Sequence, residues 1–137
     1  MRIALGIFIF GHGLVHSILA IAPNPDDPDA KIGLFFTSSD RSWILPRLGL
    51  SAGTIQSIGI FLVVLSTLGF LLTGLGILGV GSLTMIWRTV AVISSITSSV
   101  LLITFWHPWL PVGLVINMLS LVSLLVIKWP PKSLIGS

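Results

Sequence analysis

The sequence predicts an all-α polytopic membrane protein: a bundle of four transmembrane helices forming a single domain, residues 1–137, with one extramembrane loop between helices one and two. Three observations carry that prediction. Charged residues make up only 8% of the 137-residue chain and hydrophobic ones 54%, whereas soluble domains are roughly a quarter charged. Mean hydropathy is +1.09. The apolar runs approach the roughly 20 residues that an α-helix needs to cross a ~30 Å hydrocarbon core.

The first span is expected over residues 3–22. It stops at Pro23-Asn24-Pro25-Asp26-Asp27-Pro28-Asp29, whose prolines and aspartates neither continue a helix nor enter lipid. Read as a calcium loop, the aspartates lack the rest of the pattern, and a helix-stopping loop accounts for them better. Met1-Arg2, the apolar run and Ala20-Ile21-Ala22 have the outline of a signal peptide. Pro23 after the cleavage point, and His12 and His16 inside the apolar stretch, oppose that reading, so the segment is expected to stay as a helix. Residues 23–46 form the loop. Its half-apolar part, residues 30–46, is expected to lie on the bilayer surface or over the bundle mouth, with Trp43 and Arg47 as interfacial anchors.

The second span is expected over residues 47–72, starting after Pro46. Gly49, Gly53 and Ser57 recur every four residues and suggest a small-residue stripe for close helix packing. Gly74, Gly76, Gly79 and Gly81 then read as a turn. The third span, residues 84–106, is rich in hydroxyls (Ser94, Ser95, Thr97, Ser98, Ser99, Thr104), which can bond their own backbone in lipid. Trp106-His107-Pro108-Trp109 makes a tight corner, and the fourth span runs over residues 109–127 to Lys128-Trp129-Pro130-Pro131-Lys132.

With no cysteine, disulfides, thiolate metal sites and dithiol chemistry are excluded, as is the mechanism of four-helix quinone reductases that work through a CxxC pair. Seven Lys/Arg against four aspartates lie scattered, with no cluster that tracks nucleic acid. Arg2, Arg88, Lys128 and Lys132 fall on one side of a four-span layout, and Lys31, Arg41 and Arg47 on the other. That margin places both termini in the cytoplasm of a multi-pass cell-membrane protein.

Polar residues inside the spans are expensive and point to function. At ~100° per residue, Arg2, Gly6, His12, Gly13, His16 and Ser17 share one face of helix one, while Ile7, Phe8, Leu14 and Ile18 share the other. Gln56 lies about two turns into span two, Asn117 about two turns into span four, and His107 caps span three. All five strongly polar residues therefore fall in the half nearer the first loop. The other half offers hydroxyls only. His12, His16, Gln56, His107 and Asn117 are accordingly the candidate ligand-binding residues of a polar pocket in the outer half, roofed by residues 30–46.

Neutral imidazoles there can meet a quinone carbonyl or other amphipathic ligand, or ligate haem or a metal. His12-Gly13-Leu14-Val15-His16 has the i,i+4 spacing of zinc helices but lacks their glutamate, and no span carries a carboxylate, so a metal site is not expected. The bland alternative for His12 and His16, interhelical hydrogen bonding to Asn117 or Gln56, outweighs either ligand reading. For His107, between two tryptophans, an interfacial anchor outweighs a ligand contact.

The opening Arg2-Ile3-Ala4-Leu5-Gly6-Ile7-Phe8-Ile9-Phe10-Gly11-His12-Gly13-Leu14 resembles that of the DoxX-like family of small four-helix membrane proteins. The resemblance places Arg2, Gly6 and His12 at motif positions. It implies a membrane subunit associated with thiosulfate:quinone oxidation or another redox system. This chain departs from the family in its long first loop, in His16 and in the corner at residues 106–109. The leading functional expectation is a redox-associated subunit that holds a quinone-like ligand and is not catalytic alone, working with other membrane subunits or as a homo-oligomer. A structural or assembly subunit is the alternative, and a small transporter or channel the third.

Overall fold

The computed structural model describes residues 1–21, 39–105 and 110–131. Within them the chain is helical, with no strand: α1 (Arg2–Ile21), α2 (Ala52–Leu78), α3 (Leu83–Thr104) and α4 (Pro111–Leu121). The first three are long and apolar enough to cross a membrane. The fourth comprises eleven α-helical residues continued by six π-helical ones, Val122–Ile127. At ~1.5 Å per residue it reaches at most ~25 Å, short of a full hydrocarbon core. Lys128 ends it in a left-handed conformation, φ 56°.

Helix two begins and ends about six residues later than the pattern suggests. Pro46 starts only a short 3₁₀ turn, Leu45–Leu48, which Gly49 closes at φ 76°. Ser51 then caps α2, its Oγ accepting from Thr54 N–H at 3.2 Å. Gly74 and Gly76 do not turn the chain. They stay helical because neighbouring helices occupy the space of a side chain: a Cβ at Gly74 would sit 2.9 Å from Gly6 O, and one at Gly76 2.7 Å from Leu83 O. The helix ends at Gly79, φ 97°, whose N–H donates to Gly76 O.

The expected stripe at Gly49, Gly53 and Ser57 is also corrected. All three are exposed, and a Cβ at Gly53 would meet nothing within 4 Å. Close packing falls instead at Gly6 against Gly74, at Gly13 against Phe70 and Thr67, and at Gly69 against Ser94. The physical reason is orientation. Gly53 and Ser57 lie on the outward side of α2, whose Ile55 and Gly59 face the core at the same level, whereas Gly69, Gly74 and Gly76 face α3 or α1.

The helices form an open series: α1 packs on α2, α2 on α3 and α3 on α4. One end is tied by two arginines. Arg2 donates from Nε to Ile77 O at 2.7 Å and from Nη2 to Leu78 O at 2.5 Å, covering the C-terminus of α2. Arg88 donates to Lys128 O and Pro130 O beyond α4. At the other end Trp43 Nε1 donates to Ile103 O at 2.6 Å, holding residues 39–48 near the end of α3. The buried core has two parts. Ile55, Val63, Leu101, Leu102, Phe105 and Leu110 fill the loop end, and Ile9, Phe70, Ile77 and Trp87 the opposite end.

Candidate functional site

Helix α1 carries the faces that its periodicity implies. Gly6, Ile9, Gly13, His16 and Ala20 are buried, while Ile7, Phe8, Leu14 and Ile18 are exposed. Gly13 lacks a side chain where α1 meets α2, so the backbones approach and the two flanking imidazoles close on Phe70. The His12 ring meets Phe70 edge-on at 4.8 Å between centroids, and the His16 ring stacks on it at 5.8 Å. The two imidazoles are 5.2 Å apart in a T-shaped pair. Beside them, Ser17 and Thr67 join α1 to α2 by a hydroxyl–hydroxyl bond of 3.0 Å.

A continuous hydrogen-bond chain runs from these histidines across α4 and α3. His12 Nε2–H donates to Asn117 Oδ1 at 3.3 Å. Asn117 Nδ2 donates to Ser98 Oγ at 2.7 Å. The Ser98 hydroxyl, accepting that bond, also shares a hydrogen bond with His16 Nε2 at 3.0 Å. Asn117 is completely buried (0% exposed), so both of its bonds are made away from solvent and lipid.

Because an amide oxygen only accepts, the bond to Asn117 fixes the His12 tautomer: neutral His12 carries its hydrogen on Nε2, leaving Nδ1 an acceptor. His16 Nδ1 is buried without a partner among the described residues. Among those residues each imidazole therefore keeps one ring nitrogen, Nδ1, free of a hydrogen-bond partner.

Both histidines line a lateral cleft of about 580 Å³ between α1 and α4. Its other walls are apolar: Ile7, Phe8, Val15, Leu19, Leu102, Leu110, Val112 and Ile116, with Gly11 and Gly113 giving room. That size and lining suit a small-molecule site, in which a few polar groups orient a mostly apolar ligand. The cleft exists because α1 and α4, the two ends of the open helix series, share little direct packing, the His12–Asn117 bond reaching across the gap.

Of the expected site residues, His12, His16 and Asn117 come together. Gln56 does not join them; it is half-buried on α2 and makes no hydrogen bond among the described residues. His107, the corner at residues 106–109, the aspartates Asp26, Asp27 and Asp29, and the part of the expected roof before residue 39 lie outside the described residues. Sequence reasoning missed Ser98, which it grouped with the self-bonding hydroxyls of span three. Ser94 and Ser99 do bond their own helix, to Val90 O and Ser95 O, each at 2.7 Å, but Ser98 turns between helices. Its depth, matching that of Asn117 on the adjacent span, was the available signal. Phe70 was missed as well, since nothing local marks an aromatic residue as a partner for two histidines.

Among the described residues no group of three His, Cys, Asp or Glu side chains converges to hold a metal ion. Both histidine Nε2 atoms are already engaged, so a metal or haem iron would have to take a Nδ1. Among the described residues that line the cleft there is no carboxylate and no Lys or Arg. Comparisons of the chain with protein-family models, with curated proteins and with solved structures return no match.

Proposed function

We propose that this chain is a four-span, redox-associated membrane subunit that binds a quinone-like ligand in the cleft between α1 and α4. One observation carries the reading: an apolar cleft whose polar groups, among the described residues, are His12 and His16, each with Nδ1 unpaired. A quinone carbonyl accepts from His16, and the hydroxyl of its reduced form donates to His12. Asn117 and Ser98 hold both rings in place, and His16 takes the tautomer with its hydrogen on Nδ1. Gln56, on α2, makes no hydrogen bond to the two histidines or Asn117, and His107 lies outside the described residues. The resemblance of residues 2–14 to the DoxX-like opening supports the redox association. The Lys/Arg tally supports cytoplasmic termini, which puts the cleft's histidines in the outer half. A partner subunit supplies the redox chemistry, and the described cleft residues bind and orient the ligand.

The test is binding of a benzoquinone with a long alkyl tail to purified protein in nanodiscs. Saturable binding that is lost on replacing His12 and His16 together by leucine is the expected result. A colourless preparation that co-purifies no quinone, with equal binding by both proteins, would refute it. A visible absorption band would transfer the site to haem.

A second reading is favoured by the chain of bonds itself. His12, Asn117, Ser98 and His16 join three helices, as a fold-holding network does in a structural or assembly subunit. Full function of the double leucine variant in its native membrane would select that reading.

A further inference from the structure

A second cavity of about 200 Å³ lies at the opposite end of the bundle from the first loop. Leu5, Ile9, Ile77, Trp87, Leu124 and Trp129 are among its walls. It is too small for a whole amphipathic ligand, which takes roughly 300 Å³ or more. Phe8 and Ile116 line both this cavity and the histidine cleft, so the two are adjoining parts of one seam along α1 and α4. The seam changes character along its length. Its first part holds the two imidazoles. Its second offers hydrocarbon, aromatic rings and a few hydroxyls, among them Ser95, whose buried Oγ has no partner among the described residues.

We infer that the seam holds a single-tailed quinone in one fixed orientation, head at His12 and His16 and tail passing Phe8 and Ile116 into the second cavity. This rests on the proposed quinone site and adds the ligand's class and direction. Depth argues for an uncharged head. His12 lies nine residues before Ile21, the end of α1, or ~13 Å from that end at ~1.5 Å per residue. A phosphate headgroup so deep would need a cationic partner. The cations on the described spans, Arg2 and Arg88, sit at the far end and bond backbone carbonyls. An ordinary phospholipid therefore does not fit, and a neutral head with hydrogen-bonding oxygens does. Length argues for a tail. From His12 to Leu5 on α1, and from Asn117 to Leu124 on α4, the seam continues for about two helical turns, ~10 Å. A head without a tail would leave that length to lipid.

The test uses two photoreactive benzoquinones in nanodiscs, one with a diazirine at the tip of a long alkyl tail and one with it beside the ring. Labelled residues are mapped by mass spectrometry. The tail-tip probe should label Trp87, Leu124 or Trp129, and the ring probe residues around His12 and Gly113. Filling the second cavity by Ser95→Leu, or by Ser123→Leu from α4, should cut tail-tip labelling there at least about tenfold and leave ring labelling in place. Replacing His12 and His16 together by leucine should remove both. Ring labelling at the histidines, with tail-tip labels only on lipid-facing residues such as Phe61 and Met85, would overturn the orientation while the quinone site stands. Absence of both labels from the seam in the unmodified protein would overturn the site and the orientation together.

Discussion

Replacing Asn117 by leucine preserves side-chain bulk in a fully buried position and removes two interhelical hydrogen bonds, to His12 at 3.3 Å and to Ser98 at 2.7 Å. Interhelical hydrogen bonds in membrane proteins average ~0.6 kcal/mol each and reach ~1.7, because helices separated in lipid find other polar partners. The loss is therefore about 1–3 kcal/mol. It falls in the lower part of that range, because Ser98 keeps its bond to His16 and His12, lining the cleft, can turn to another acceptor. The assay is reversible unfolding in mixed micelles by SDS titration, followed by circular dichroism. Pairing Asn117→Leu with His12→Leu in a double-mutant cycle isolates the bond between them, with an expected coupling of about 0.6 kcal/mol. Ser98→Ala, which cuts the chain at its centre, should cost at least as much as Asn117→Leu. An Asn117→Leu protein as stable as the parent, or a coupling of zero, would show that the bond chain does not hold α1, α3 and α4 together.

Gly13→Ala should destabilise by about 1–3 kcal/mol, since the new Cβ would lie 2.8 Å from Phe70 Cβ and 3.1 Å from Thr67 O. Gly53→Ala, where a Cβ meets nothing within 4 Å, should be neutral or stabilise by up to about 1 kcal/mol; the same SDS titration reads both, and the reverse order would return the packing seam to the start of α2. Arg2→Met removes both bonds that cover the C-terminus of α2 and should cost about 1–2 kcal/mol in thermal stability, with Arg2→Lys recovering part of it. Trp43→Phe keeps the ring and loses the 2.6 Å bond to Ile103 O, at about 0.5–1.5 kcal/mol, read as faster amide exchange across residues 39–48.

What the sequence determined by itself follows from properties that are local along the chain. Hydrophobic runs of near-span length imply helices in lipid, and α1, α2 and α3 are helices long and apolar enough to cross a membrane. The 3.6-residue period sorts Gly6, Gly13 and His16 from Ile7, Phe8 and Ile18, because the face of a helix depends only on its own residues. Counting along each span set the depth of His12, His16, Asn117 and Gln56, since rise per residue is constant. Rotation about each helix axis relative to its neighbours is not a local property, and the tertiary structure alone decided it. Gly74 and Gly76 read as turn residues until the backbones of Gly6 and Leu83 are seen pressed against them. Gln56 and Asn117 looked equivalent by depth and polarity, yet only Asn117 is turned to Ser98 and His12. The lateral cleft likewise follows from α1 and α4 closing the series without packing tightly on each other, a relation between two helices distant in the chain that no stretch of either one encodes.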